Sequence, residues 1–186
     1  MTDEFAPAGG RDGDAVQVDL GQWAWVINVY LDDLDALLGP PQEIPADPLD
    51  ALAATMRDAP ELPSDPVRAR LLPDGVLDDP DAAAEFRRFA QTTLLERKRA
   101  DAAALRLAAA TPGTVDAAGA RSLLGALNDL RLMLGTRLGV TEGGVLTGGE
   151  ELQAYQSYGL FTYLQGLLVD VLAGDWGGPP ESDTAL

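Results

Sequence analysis

Residues 126–140 read ALNDLRLMLGTRLGV, and the polar members of this stretch have a spacing that could do chemistry. Asn128, Arg131 and Gly135 recur at intervals of three and four, so at about 100° per residue they share one helix face. That face lies directly beside a stripe of leucines with the same periodicity. At the margin of a buried face, an amide and a guanidinium can complete a buried polar network or line a ligand pocket. A glycine beside them weakens the helix but leaves room for a neighbour.

A second polar pair lies on the helix predicted over 80–110, where Arg97 and Asp101 are four residues apart. Both fall inside the stripe that we predict to be buried, and an unpaired buried charge costs several kcal/mol. We therefore predict one buried polar network of Arg97, Asp101, Asn128 and Arg131, with Gly135 letting the two helices approach. The alternative is a small-molecule or peptide pocket built on the same groups. The predicted buried stripe comprises Phe86, Phe89, Ala90, Thr93, Leu94, Ala104 and Leu107.

The opposite side of the same helix carries a basic ridge without an intervening acid. Its members span about 120° of arc. Such a ridge has three possible interpretations: a solvated face, a contact for an acidic protein, or a contact for DNA. DNA is the least favoured, because a helix-turn-helix pattern and interleaved aromatic residues are both missing. The ridge residues are Arg87, Arg88, Lys98, Arg99 and Arg106.

Composition narrows the chemistry further. The chain of 186 residues has no cysteine and no histidine, which removes thiol redox switching, thiolate metal sites and the commonest general base. We predict a protein that is not an enzyme and holds no cofactor and no metal.

The first fifteen residues have no apolar signal-peptide segment, and the longest uncharged run, 152–169, is interrupted by polar residues. We therefore expect a cytoplasmic protein without a membrane association.

The charge is unevenly distributed along the chain. Residues 68–137 hold eleven of the thirteen basic groups and nine acids, about +2, whereas the rest holds two basic groups and twenty-one acids, about −19. The total of −17 disfavours nonspecific binding of nucleic acid. A neutral centre with an acidic periphery, or a local basic contact surface, would each give this distribution.

Helical periodicity predicts an all-α single-domain bundle of about five to six helices, with one short N-terminal strand at Ala15–Leu20. We expect a disordered N-terminus at 1–14, a helical domain at 15–174 and a flexible tail at 175–186. Three Asp-Pro pairs, at 47–48, 65–66 and 79–80, predict helix starts, because Asp caps free amides and Pro fits the first turn. The predicted helices cover 22–38, 48–58, 66–72, 80–110, from a cap at Thr114 or Asp116 to about 138, and 150–173.

Two of these helices are unusually apolar. The first has Trp23, Val26 and Ile27 on its main stripe and Trp25 and Val29 on the other side, which predicts burial on two faces or an interface. We therefore also expect a homodimer. The last helix is apolar nearly all round, and we expect it to be the central one.

Two segments, RLLPDGVLDDPDAAAEFRRFAQTTLLERK at 70–98 and ALNDLRLMLGTRLGV at 126–140, resemble an actinobacterial family of oxidative-stress transcriptional regulators (AosR-like), formerly a domain of unknown function. The likeness covers roughly residues 15–173. It implies a helical regulator that acts through protein contacts, with a sigma factor or another RNA polymerase component as partner. The positions that match the family's motifs are Glu85, Phe86, Arg87, Arg88, Asn128, Asp129, Arg131, Gly135 and Arg137.

The chain departs from that family in its cysteines. Some members sense oxidants through a closely spaced cysteine pair, and this chain has no cysteine, so direct disulfide sensing is impossible here. Either partner binding is the function common to the family and oxidant sensing is a feature of some members only, or this member works constitutively. We therefore expect a regulator that binds its partner through the basic ridge or the helix of Trp23 and Trp25. The alternative is a helical domain that binds a small molecule.

Overall fold

The chain folds into an all-α bundle with a small sheet at one side, and the computed structural model describes residues 5–7, 15–40, 47, 49, 63–73, 75, 78–140 and 152–173. The helices in these ranges are α1 (Ala24–Leu38), α2 (Pro66–Leu71), α3 (Pro80–Ala110), α4 (Ala117–Arg137) and α5 (Leu152–Ala173). A single 3-10 turn, Gly21–Trp23, leads into α1. The predicted fold class is confirmed.

Aspartate caps begin three of the helices. Asp65 Oδ1 accepts hydrogen bonds from the backbone amides that open α2, at 2.8 and 2.9 Å. Asp79 Oδ1 does the same for α3, at 3.0 and 3.1 Å, and Asp116 caps α4. The Asp-Pro pairs therefore predict the starts of α2 and α3 correctly. At the third pair Asp47 Oδ1 accepts from the amide of Leu49, but apart from Leu49 the helix predicted over 48–58 lies outside the described residues.

The sheet has three short antiparallel strands in the order β1-β2-β3. The predicted strand corresponds to β2 (Ala15–Val18), which lies between β1 (Phe5–Pro7) and β3 (Gly113–Asp116). β1 lies within the segment for which we expected disorder, and β3 directly precedes α4. The other residues of 1–14 and the tail at 175–186 lie outside the described residues.

The central helix is α4, which packs against α1, α2, α3 and α5. Our expectation that the last helix is central is wrong. Helix α5 fully buries a single stripe; Leu160 and Leu167 are partly buried beside it, and other apolar side chains are exposed, including Tyr155, Tyr163 and Val169. The buried members of α5 are Ser157, Phe161, Leu164 and Leu168. No helix in the described part of the chain is both long and apolar enough to cross a membrane.

The buried face of α3 also differs from the prediction. Leu95, Ala102 and Leu105 are buried, whereas Phe86 and Leu107 from the predicted stripe are 42% and 70% exposed. The true face is rotated from the predicted one by about 100°, the angle of one residue. The large apolar residues indicated the wrong side because alanines form much of the real contact in this helix. As a consequence, part of the basic ridge points into the protein.

Candidate functional site

The structure separates the predicted polar network into two places. Arg97 has a side chain that is 73% exposed, and its Nε lies 3.9 Å from Oδ2 of Asp101. Arg131 instead points towards α5, where it meets Thr162 and Gln165. The prediction of one network joining Arg97, Asp101 and Arg131 is therefore wrong. The rotation of α3 explains this, because it places Arg97 in solvent.

A different charged cluster is buried between α3 and α4. Lys98 Nζ donates to Oδ1 of Asp129 at 2.6 Å, and the two side chains are 13% and 4% exposed. Asp101 lies beside this pair on the α3 side. A Cβ on Gly125 would lie 2.7 Å from Oδ2 of Asp101, so a larger residue there would require the Asp101 carboxylate to move. Gly125, rather than Gly135, is the glycine that permits the approach of α3.

The environment of Asp129 is dominated by desolvation. Burial raises the pKa of Asp129 above its ordinary value of 3.8, although the hydrogen bond and the positive charge of Lys98 oppose that shift. The negative charge of Asp101 raises the pKa further. Burial therefore outweighs the ion pair in setting this pKa, as expected for a charge removed from water.

Arg99 is occupied at the end of α1. Its Nη2 donates to the carbonyl oxygens of Leu38, Gly39 and Pro40, at 3.0, 3.1 and 2.8 Å. These carbonyls follow the last turn of α1, where acceptors have no intrahelical donor. The side chain therefore serves as a cap for another helix.

Arg106 is occupied in the same way by side chains of α1. Its Nη1 donates to Oδ1 of Asn28 at 2.9 Å, and its Nη2 lies 2.9 Å from both Asp32 Oδ1 and Asp35 Oδ2. With Lys98 and Arg99, Arg106 completes a set of ridge cations that bind other parts of the chain. The prediction of a ridge available for a partner is wrong for these three residues.

The remaining ridge and motif positions lie nearer the start of α3 and at the end of α4. Arg87 also takes part in an interaction within the chain, and the side chain of Arg88 lies outside the described residues. Glu85 and Phe86 are exposed. Arg137 Nη1 lies 2.7 Å from Oδ2 of Asp33, which ties the end of α4 to α1.

A polar cleft of about 310 Å³ lies between α2, α4 and α5. Arg131 lines it, with its Nε donating to Thr162 Oγ1 at 3.0 Å, its Nη1 donating to Gln165 Oε1, and its Cζ lying 5.7 Å from the ring centre of Tyr158. Asn128 also lines it, whereas Arg97 and Asp101, the other two members of the predicted ligand pocket, do not. We call this the α4/α5 cleft; it is lined by Arg70, Asn128, Arg131, Leu132, Gly135, Thr136, Val140 and Tyr158.

A larger and less polar groove of about 710 Å³ lies between the start of α1 and α5. Trp25 is 70% exposed there and Tyr163 is 51% exposed. Large aromatic side chains of this kind are enriched at the centres of protein interfaces. We call it the Trp25 groove; it is lined by Gln22, Trp23, Trp25, Val26, Gln153, Gln156, Ser157, Gly159, Leu160 and Tyr163.

The sequence indicated half of the Trp25 groove. Trp25 and Val29 were predicted to lie away from the main stripe of α1, and both are exposed. The α5 half, with Gly159 and Tyr163, was missed because an all-round apolar helix suggested full burial. Within the described ranges, no three acidic side chains come close enough together to hold a metal ion.

Comparison with known proteins gives one family. No curated protein and no solved structure matches the chain. The model of a domain of unknown function, DUF2017, matches residues 3–172, which include all five helices and the sheet except for the last residue of α5. The chain therefore belongs to the DUF2017 family.

Proposed function

We propose that this chain is a non-enzymatic regulatory protein that acts by protein–protein contact, with the partner docked in the Trp25 groove. The observation that carries the proposal is the open groove between α1 and α5, flanked by a tryptophan that is 70% exposed. Exposed apolar surface of this kind marks interaction sites in globular proteins. Lys98, Arg99 and Arg106 of the basic ridge are less suited to this contact, because they already bind groups within the chain.

The lining of the groove specifies the chemistry of the partner. Among the described residues it contains no charged side chain, and its polar groups are mostly glutamine amides, as at Gln22, Gln153 and Gln156. A partner segment with an apolar face, such as an amphipathic helix, fits this lining. Because the whole chain carries a charge of −17, basic residues beside that apolar face would strengthen the contact.

The same charge disfavours a second copy of this chain as the occupant. Two copies would bring −17 against −17, and like charges suppress association. The homodimer expected from the sequence is therefore an alternative outcome of the tests below. The resemblance to oxidative-stress regulators supports a sigma factor, or another RNA polymerase component, as the partner, and the cytoplasm as the place of action.

A reconstituted binding measurement tests the groove directly. Purified full-length chain is titrated with a purified stress-response sigma factor, and the wild type is compared with Trp25→Ser and with Leu107→Ser. Leu107 is a matched control because it is also 70% exposed but lies on α3, away from the groove. We expect Trp25→Ser to weaken binding by about tenfold or more, since a buried aromatic anchor dominates an interface.

The outcomes separate the alternatives. Loss of affinity in Trp25→Ser with wild-type affinity in Leu107→Ser supports the groove. Equal affinity in wild type and Trp25→Ser contradicts it. Sedimentation of the wild type as a dimer that Trp25→Ser dissociates would show that a second copy fills the groove, which also contradicts the proposed partner.

A further inference from the structure

The α4/α5 cleft brings two cations together without a carboxylate. Arg131 comes from the middle of α4 and Arg70 from the last turn of α2. Among the described residues that line the cleft there is no aspartate or glutamate. The positive charges therefore face a shared space that is not neutralised by these residues.

The contacts of Arg131 set it apart from the other interior cations. Its hydrogen-bond acceptors, Thr162 and Gln165, are both neutral, whereas Lys98 has a carboxylate partner at 2.6 Å. Its Nη2 has no hydrogen bond within the described part of the chain, and Arg70 has neither a hydrogen bond nor an ion pair there. A guanidinium held by two neutral acceptors is positioned while keeping its charge and a donor for something else.

The surrounding residues complete a donor set with one apolar wall. The side chain of Asn128 has no hydrogen-bond partner among the described residues, and it lies one helical turn before Arg131 on the same face. The ring of Tyr158 lies against Arg131 and forms part of the wall. A Cβ on Gly135 would come within 3.3 Å of Tyr158 Cε2, so the glycine makes room for that ring.

We propose that the α4/α5 cleft binds a small molecule through an oxyanion, a phosphate or a carboxylate group, held by Arg131 and Arg70 with Asn128 as an additional donor. Guanidinium groups match the geometry of both anions. The volume of about 310 Å³ is at the lower end of ligand pockets, so the ligand is small. This site lies apart from the Trp25 groove and shares no lining residue with it.

The test is an NMR titration of the full chain with two probes, inorganic phosphate and acetate. Each is added at constant ionic strength against sodium chloride, at about 0.15 M, where charges more than about 8 Å apart are largely screened. We expect saturable shifts of the Asn128 side-chain amide and the Arg131 Nε–H with at least one probe. Saturation with phosphate alone assigns a phosphate ligand, and saturation with acetate alone assigns a carboxylate. Shifts no larger than those given by chloride overturn the proposal.

Variants link the shifts to the two cations. Arg131→Gln and Arg70→Gln are each expected to weaken binding by about tenfold, the loss typical of one charge-assisted hydrogen bond. Arg70 is exposed and has no partner to lose within the described residues, so its variant keeps the test valid if Arg131→Gln perturbs the packing of α5. Arg97→Gln is the control, because Arg97 lies outside the cleft, on α3. Affinity that is unchanged in both cleft variants also overturns the proposal.

Discussion

The basic ridge of α3 and the Trp25 groove differ in what their side chains already contact. The ridge carries a cluster of positive charges in the sequence, but these charges are bound within the chain. Lys98 binds Asp129 of α4, Arg99 binds carbonyls at the end of α1, and Arg106 binds Asn28 of α1. The described lining of the groove has no charged side chain, and Trp25 is 70% exposed beside it. These three cations therefore hold helices together, whereas the groove has exposed aromatic surface that is available to a partner.

The comparison shows that residue type alone is a poor guide to a contact surface. A cation on a helix is available to a partner only when the rest of the chain has not already bound it. The α4/α5 cleft fits the same rule, because Arg131 meets only neutral acceptors there. If this rule holds, substitutions of bound ridge residues lower the free energy of unfolding, and substitutions in the groove do not.

The largest expected effect comes from breaking the buried ion pair. Lys98→Met leaves Asp129, whose side chain is 4% exposed, without its cation, and we expect a loss of about 3 kcal/mol in the free energy of unfolding. The double variant Lys98→Met/Asp129→Leu should recover most of this loss, because it removes both charges. Urea denaturation measures both. A double variant less stable than the single one would contradict a structural role that depends on pairing.

The next effect comes from the packing of α3 on α4. Gly125→Ala places a Cβ 2.7 Å from Oδ2 of Asp101, and we expect a loss of about 1–3 kcal/mol from overpacking. Gly166→Ala is the matched control on α5, because nothing lies within 4 Å of its Cβ. The control should gain about 0.5–1 kcal/mol from better helix propensity. Thermal unfolding of the two variants tests the contrast, and a stabilised Gly125→Ala would show that α4 does not pack closely there.

Two neighbouring arginines separate the bound side of α3 from its solvated side. Arg99→Gln loses charged hydrogen bonds to the carbonyls that follow α1, and we expect a loss of about 1.5 kcal/mol. Arg97→Gln changes a side chain that is 73% exposed, so we expect a change within about 0.5 kcal/mol. Chemical denaturation of both variants measures the difference. Equal stabilities would mean that the ridge is only a solvated face.

The raised pKa of Asp129 predicts a pH dependence of opposite sign to that of an ordinary ion-paired carboxylate. As the pH falls, the folded protein protonates this group before the unfolded chain does, because the folded-state pKa lies above 3.8. The contribution of Asp129 to stability therefore decreases as the pH rises from 3.8 through the folded-state pKa. Carboxyl carbon shifts in NMR report the midpoint, which should move higher still in Lys98→Met. A midpoint below 3.8 in the wild type would contradict this account.

The smallest effect on stability is expected in the groove. Trp25→Ser alters an exposed side chain, so the free energy of unfolding should change by no more than about 0.5 kcal/mol. The measurement is the same urea denaturation used for Lys98→Met. A loss of several kcal/mol would mean that Trp25 supports the fold, and would remove it as a free contact residue.

Much of the fold follows from local signals in the sequence. Asp65 and Asp79, each followed by proline, predict the starts of α2 and α3, since a cap acts within a few residues of itself. The stripe of α1 is equally local, and Ile27, Leu31 and Leu34 are buried as predicted. β1 and β3 could not be predicted in this way, because strand pairing depends on residues distant in sequence.

The site was less predictable than the fold. In α3 the real contact face is rich in alanine, so the larger Phe86 and Leu107 indicated the wrong side. That error placed Arg97 in a buried network and Lys98 in solvent, the reverse of what the structure shows. The Trp25 groove needs two helices to form, and no single-helix pattern reports how α1 and α5 meet.

Site-specific photocrosslinking between the full chain and a purified stress-response sigma factor tests directly whether the partner docks in the Trp25 groove. A photoreactive phenylalanine analogue is placed at position 25, at position 163 or, for the ridge, at position 87. We expect adducts from positions 25 and 163, which line the groove, and none from position 87. Adducts from position 87 alone would contradict it, because they would place the contact on the basic ridge.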